Sequence, residues 1–342
     1  MIVSGGSNTV RETVRIAKTE RLNTLAREYV NCNRQLQCSD NNVARSRLNC
    51  QLQNIEQQMM AVESELEELD SASQDSNRCQ LILDENLPKI DFKAAIQRVQ
   101  GIFKGFPPEG GAALFLVQNS LPFMGDLLVK EIKDCLSKST RDFRVYPVSF
   151  SPGSGLDQLT FLHRIADQLG VGVSERVECK KKYVESIVEK ICGSLRTGST
   201  IFFEFSQWDN VPSTAQPELL AWLIQDFWHY LERRLRDTAN KWRKIRIVGT
   251  IVVDGMIAEG CTQSVAFCND VDKFDMKNLF ELPLEQWLES DIADWLGSFS
   301  DLPADTIDAI ARRIYRASLG GMPCLICEAL RKEPQLKQTK IR

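Results

Sequence analysis

Residues Ala112 to Val117, Ala-Ala-Leu-Phe-Leu-Val, run straight into Gln118-Asn119-Ser120-Leu121-Pro122-Phe123-Met124-Gly125-Asp126, and the spaced apolar residues Leu127, Leu128, Ile132 and Leu136 follow at once. A short apolar run that ends at polar and turn-forming residues reads as a buried strand, and the spacing after it as an amphipathic helix. Strand, loop and helix in that order form the frame of a phosphate-binding loop. Its chemistry, Gly-x-x-x-x-Gly-Lys-Ser/Thr, is missing: the glycines let backbone N–H groups wrap phosphate oxygens, the lysine neutralises them and the hydroxyl holds magnesium. Laid on that spacing, Gln118 takes the first glycine position and Phe123, Met124 and Gly125 the last three.

The same alternation continues outward. Asp91 can cap a short helix carrying Phe92, Ile96, Val99 and Ile102 ahead of the first strand. Arg144 to Phe150 is a strand restricted to a sheet edge by Pro147, which lacks an N–H. Helices follow through Leu156, Leu159, Leu162, Ile165 and Leu169, ending at Gly170, and through Val177, Val184, Ile187, Ile191 and Leu195. Thr200 to Phe205 is a third strand, Pro217 to about Lys241 a long helix, Ile245 to Val253 a fourth strand and Asn278 to Leu282 a short fifth. Strands separated by helices imply an α/β fold, a mainly parallel five-stranded sheet in three layers. After Pro283 only helical patterns remain, before a polar tail at 333–342.

The first seventy residues differ in kind. Leu52, Ile55, Met59, Val62, Leu66 and Leu69 alternate steps of three and four, the stripe of an amphipathic or coiled-coil helix. An earlier stripe, Leu22, Leu25, Tyr29 and Leu36, is separated from it by Cys38-Ser39-Asp40-Asn41-Asn42, where Ser39 or Asp40 is a natural N-cap. The pattern predicts a helical hairpin over 1–70 whose arms reach about 40 Å. A lone pair of helices leaves apolar surface for a protein partner. Residues 71–90 lose the period and read as a linker, with the α/β domain over 91–282 and a helical segment over 283–332.

Composition narrows the function. A chain of 342 residues that is 43% apolar can bury a core, and its net charge of −4 with both signs interspersed argues against a dedicated nucleic-acid binder. Lys180-Lys181-Lys182 and the run from Arg233 to Arg246 are local basic clusters of the kind that solvated helix faces carry. No run approaches the roughly 18 apolar residues of a membrane span, and the first residues lack the order of a signal peptide. The eleven cysteines, an odd number scattered along the chain, fit reduced and mostly buried thiols. The expected compartment is the cytoplasm.

The order of parts from Asp91 to Lys332 resembles the STAND class of P-loop ATPases, relatives of AAA+ proteins that act as switches in signalling and immunity. Gly320-Gly321-Met322-Pro323, followed by Cys324 to Leu330, is similar to the class's Gly-x-Pro segment in a small helical lid, with Gly321 and Pro323 as its motif residues. The hairpin is similar to the helical effector-associated adaptors of bacterial conflict systems. In the third strand Phe205 and Ser206 stand where the class sets its magnesium-binding and catalytic acids. Glu204 sits one residue early, on the opposite face, and Asp209 lies in the following loop. Charge-assisted hydrogen bonds are worth about 1.5–3 kcal/mol each, so losing lysine, hydroxyl and acids together forfeits upwards of about 6 kcal/mol, some four decades of affinity. The resemblance therefore points to the inactive STAND subset. On this resemblance the winged helix and repeats that active relatives often carry are not expected after the lid.

Other constellations read as structure. Gly153-Ser154-Gly155 lacks a lysine and reads as a turn. Cys324 and Cys327 have Cys-x-x-Cys spacing but no second pair, so they read as packing. His163 and His229 lie in helical patterns without a nucleophile beside them, and Asp291 and Asp294 read as solvated carboxylates. The expectation is a protein with no catalytic residue, metal or cofactor that binds an effector or signalling protein through its N-terminal helices. Two alternatives are an ATPase switch that holds nucleotide by other residues and a nucleic-acid accessory protein that uses the 233–246 segment.

Overall fold

The computed structural model describes residues 6–38, 42–150, 157–170 and 180–338. Two compact units divide the chain, Met1–Ile82 and Leu83–Arg342.

In the first unit, α1 (Gly6–Cys38) and α2 (Asn42–Asn86) form the hairpin. The helices run antiparallel. Lys18 Nζ pairs with Glu65 at 2.7 Å, Tyr29 donates to Glu56 Oε1 at 2.9 Å and the Cys32 thiol reaches the Leu48 carbonyl at 3.6 Å. Leu25, Cys32, Leu52 and Val62 are buried. Residues 71–86, expected as linker, are instead the last turns of α2, and Leu87–Lys89 form a 3-10 turn. The Ser, Asn and Gln of this stretch each cost well under about 1 kcal/mol in a helix, and with no glycine or proline before Pro88 nothing interrupts propagation. The capping residues Ser39 and Asp40 lie outside the described residues.

The second unit takes in the last residues of α2 and the 3-10 turn and continues with α3 (Lys93–Lys104), whose first N–H donates to Asp91 Oδ1 at 3.0 Å. There follow β1 (Gly110–Val117), α4 (Ser120–Phe123), α5 (Gly125–Lys138), β2 (Asp142–Ser149), α6 (Gln158–Leu169), α7 (Lys180–Ser194) and β3 (Ser199–Ser206). Next come α8 (Gln216–Trp222), α9 (His229–Ala239), β4 (Ile245–Val252), α10 (Glu259–Ser264), β5 (Phe267–Cys268) and β6 (Leu279–Glu281). The helices α11 (Glu289–Phe299), α12 (Ala304–Ala317), α13 (Pro323–Lys332) and α14 (Pro334–Gln338) complete the unit.

The sheet is parallel in the order β2-β3-β4-β1-β6-β5. It has six strands rather than five: β5 is two residues long, too short for alternation to be legible. β2 lies at the edge, so Pro147 leaves no second neighbour without a ladder bond. Alternate β1 residues Ala112, Leu114 and Leu116 join the core beneath α6, α7, α8 and α9. On the other face Phe115 meets Phe103 of α3 and Phe280 of β6, each at 6.2 Å. Both faces of every central strand are covered, which is why these strands read as unbroken apolar runs.

Two boundaries differ from expectation. The long helix over 217–241 contains a π turn, Leu223–Trp228, between α8 and α9. The polar tail also holds α14, whose Leu336 is buried, a single anchor too short to show a period. Among the described residues no helix is long and apolar enough to cross a membrane.

Candidate functional site

The loop after β1 turns on two left-handed residues, Asn119 (φ 53°) and Met124 (φ 55°), with the single turn of α4 between them. Asparagine tolerates that conformation, whereas methionine holds it at a cost of about 1–2 kcal/mol. Three N–H groups of this loop are already used. Asn119 N–H donates to the Gly255 carbonyl at 2.7 Å, Ser120 N–H to Val253 at 2.9 Å and Leu121 N–H to Asp254 at 3.4 Å. The segment after β4 thus closes the cradle with its own carbonyls.

That segment is held in turn. Asp209, just past β3, accepts from Asp254 N–H at 2.6 Å and Gly255 N–H at 3.3 Å. Gln118, nearly buried, donates to Glu281 Oε1 at 2.7 Å and accepts from Ile257 N–H at 3.0 Å. Partial burial, then Asp209 and Asp126, push the Asp254 carboxyl above the usual carboxylate range. The charges gathered there are acidic, the opposite of what a triphosphate requires. A cavity of about 370 Å³ beside the loop is lined by Arg98, Gln118, Phe123, Glu281 and Pro283. Its one cation donates to the Asn269 carbonyl at 2.9 Å.

At the position of the magnesium-binding hydroxyl, a Cβ on Gly125 would stand 2.7 Å from both Ser120 Oγ and Val117 Cγ1. Phe123 and Met124 are half-buried. In β3, Phe205 is fully buried, 5.3 Å from the Phe161 ring, and Ser206 accepts from Phe150 N–H through its carbonyl. Glu204, on the opposite face, forms a 2.7 Å ion pair with Lys133 of α5. Among the described residues no group of three or more His, Cys, Asp or Glu is arranged to hold a metal ion.

The lid segment lies over this loop, since α13 packs on α4. Gly321 has φ +104°, its carbonyl accepts from Trp287 N–H at 2.9 Å, and Pro323 opens α13. Burial pushes the Cys327 thiol up to about 12, while Cys324 is half-buried. Within the second unit, three side chains converge on its first residues: Lys130 on the Asp84 carbonyl, Arg331 on the Asp84 carboxylate at 3.0 Å and Trp295 Nε1 on the Asn86 carbonyl at 2.9 Å.

The hairpin stripe is divided in use. Tyr29 and Lys18 bond Glu56 and Glu65, which places α1 on the face that carries Leu52 and Val62, both buried. Ile55, Met59 and Leu66 are half-buried, and Leu69 lies outside the residues whose side chains are described. Among the described side chains of the hairpin, the exposed large apolar ones are others, Val14, Ile16, Val30 and Met60.

Asp291 is not solvated. It is buried, accepts from Leu288 N–H at 2.7 Å and lies 3.6 Å from Lys93 Nζ, while Asp294 is exposed. Burial raises the Asp291 carboxyl above its ordinary range. A raised folded-state value adds stability at low pH that is lost as pH rises through it. Asp291→Asn, which mimics the protonated form, should therefore gain in Tm on the native protein as pH goes from 4 to 7.

The basic run is dispersed. Arg234 pairs with Glu189 and Asp237, Arg236 with Glu232, and Arg246 lies over Phe103 at 5.5 Å. His163 packs edge-on to Tyr183, and His229 Nε2 lies 3.0 Å from the Lys277 carbonyl. Gly153-Ser154-Gly155 falls outside the described residues. What sequence reasoning missed is the Val253–Gly255 closure that Asp209 caps. The one local hint is Asp254-Gly255, a turn dipeptide directly after a strand.

Residues 8–69 match effector-associated domain 9, and residues 87–246 match inactive STAND. No curated protein sequence matches the chain. Among solved structures, the Aeropyrum pernix ORC1 protein in complex with DNA is 14% identical, with 76% of this chain and 62% of that one covered and a TM-score of 0.35. The Aeropyrum pernix ORC2 protein in its ADPNP–ADP complexes is 11% identical, with coverage of 65% and 54% and a TM-score of 0.38. Drosophila ORC bound to DNA is 9% identical, with coverage of 73% and 59% and a TM-score of 0.32. The chain thus spans less than two thirds of the length of these structures. By sequence, then, residues 8–69 are similar to effector-associated domain 9 and residues 87–246 to inactive STAND, the class that the strand order and the lid segment resemble.

Proposed function

We propose that this chain is a non-catalytic signalling or scaffold protein of a bacterial conflict or signalling system. Its hairpin engages an effector or signalling protein in the cytoplasm, and its α/β unit serves as the body that presents it. One observation carries the reading: the N–H groups of Asn119, Ser120 and Leu121 are donated to the carbonyls of Gly255, Val253 and Asp254. A nucleotide that used this loop would break three hydrogen bonds, at roughly 1.5–4.5 kcal/mol in all, before making any. It would then meet Asp126, Asp209 and Asp254 instead of a lysine. The interaction half of the reading is supported by exposed Ile16, Val30 and Met60 on the hairpin, and the compartment by the free buried thiols of Cys32, Cys192, Cys261 and Cys327.

The test is a thermal-shift titration of the full chain with magnesium-ATP, joined to capture of partners from the source cell. A ligand at 100 times its Kd stabilises by about 2.7 kcal/mol, a rise of several degrees. The expected result is an unchanged Tm at millimolar ATP, with partners captured by the native protein and lost with Ile16→Glu/Met60→Glu. Saturable stabilisation below a millimolar would favour the ATPase switch, and capture indifferent to the hairpin variant would sink the interaction reading.

A further inference from the structure

In the helical layer that holds α7 and α9, a groove of about 720 Å³ lies between these two helices, reached also by Lys277. Its geometry comes from the helix that runs from α8 through the π turn into α9. Leu219, Leu223, Phe227, Trp228 and Leu231 face the core, which leaves Trp222, Asp226, His229, Tyr230 and Arg233 along the groove. π turns widen the helix locally and recur at binding sites.

The groove has an apolar floor and a charged rim. Trp222 and Val184 are nearly buried beneath it, and Tyr230 is half-exposed with the Arg233 guanidinium 5.3 Å above its ring. Lys180, Lys181, Arg233 and Lys277 are exposed, and among the described residues none of them ion-pairs with a carboxylate. Of the three carboxylates lining the groove, Glu232 is buried and committed to Arg236, so Glu185 and Asp226, with Asp157 beside Lys180, oppose the rim cations. On a chain of net charge −4, this is a local excess of positive charge, with Lys180 bonded to Gln158 and, among the described residues, none of the four cations in an ion pair.

We propose that the groove binds an acidic peptide segment of a partner protein, with one aromatic or aliphatic side chain seated over Trp222 and Tyr230. Rim cations and a desolvated aromatic floor are the two elements such recognition needs, one for orientation and rate, the other for affinity. Gln158 Oε1 accepts from Lys180 at 3.3 Å and Gln225 Nε2 donates to the Ser264 carbonyl at 3.1 Å, which leaves the Gln158 amide N–H groups and the Gln225 amide oxygen for a peptide backbone. Arg243, Lys244 and Arg246 of the basic run do not line the groove, so the extended basic stripe that a nucleic-acid backbone would follow is missing from it. That favours a peptide over nucleic acid. The inference rests on the interaction reading above and deepens it by giving the α/β unit a partner chemistry of its own.

The test is fluorescence anisotropy on the full chain with a fluorescein-labelled peptide, Asp-Glu-Phe-Asp-Leu-Glu-Glu, its all-lysine counterpart and a short oligothymidylate. The acidic peptide should bind saturably, at least tenfold tighter than the lysine peptide. Lys181→Glu/Arg233→Glu, two exposed positions, should weaken it at least tenfold at unchanged Tm, and Ile16→Glu/Met60→Glu should leave it unaltered. Absence of saturable binding, full affinity in the groove variant, loss in the hairpin variant or tighter binding of the oligonucleotide would each overturn the proposal. Because the hairpin variant reports separately, failure of the groove leaves the hairpin reading standing, and the reverse.

Discussion

Gly321→Ala is expected to cost the α/β unit at least about 3 kcal/mol and to release the lid helices, because strain and overlap coincide at that residue. Gly321 has φ +104°, a conformation closed to other residues, and an added Cβ would stand 2.1 Å from the Trp287 carbonyl and 3.1 Å from Tyr315 Cε2. Neither neighbour can yield cheaply. Trp287 is almost fully buried, packs edge-on against Phe92 at 5.7 Å, and its N–H donates to the Gly321 carbonyl. Displacing Gly321 therefore unseats the strand-to-lid connection, and through α13 the covering of α4. The neighbouring glycine is an internal control. Gly320 has φ +80° with nothing within 4 Å of a Cβ, so Gly320→Ala should cost only the left-handed strain, about 1–2 kcal/mol. Denaturant unfolding of both variants measures the difference, and hydrogen exchange across α11 to α13 locates it. Equal costs for the two would show that contact with Trp287 does not hold the lid.

Rebuilding the phosphate-binding motif by Phe123→Gly/Met124→Lys/Gly125→Ser is expected to destabilise the protein without conferring ATP affinity. A Cβ at position 125 lies 2.7 Å from Val117 Cγ1 and from Ser120 Oγ. Overpacking of this kind costs about 1–3 kcal/mol, the loss of several degrees in Tm. A lysine at 124 supplies the missing charge, but Asn119, Ser120 and Leu121 still spend their N–H groups on Val253, Asp254 and Gly255, and Asp209 still fixes that segment. Isothermal calorimetry with magnesium-ATP should detect no binding below a millimolar. A sub-millimolar Kd in the triple variant would mean that the missing side chains alone, not the closed backbone, keep nucleotide out. Adding Asp209→Ala removes the clamp, and any gain confined to that quadruple variant would identify the closing segment as the barrier.

Several elements were open to sequence reading because their signals are local. Ala112 to Val117 announced a buried strand, Pro147 an edge and Leu127 to Leu136 a helix, and the structure places β1, β2 and α5 there. The linker and the unforeseen strand β5 show the limits of that signal. A polar stretch without glycine or proline breaks the hydrophobic period but not the helix, so α2 runs on to Asn86. A two-residue strand such as β5 has no period to display. Asp291 read as solvated because its spacing to Asp294 is ordinary, and only the packing of α11 buried one and left the other exposed.

The amino-acid sequence by itself determined that strands alternate with helices, that an amphipathic hairpin precedes them and that no lysine stands at Met124 or acid at Phe205 and Ser206. Such properties lie in side-chain identity and short-range spacing. The tertiary structure alone decided that the loop after β1 is sealed by the segment after β4, that Asp209 clamps that segment, that position 125 has no room for a side chain and that α7 and α9 frame a cationic groove. The reason is physical: backbone N–H and carbonyl groups are alike at every residue, so which of them pair across distant parts of a chain is set by where the sheet brings them.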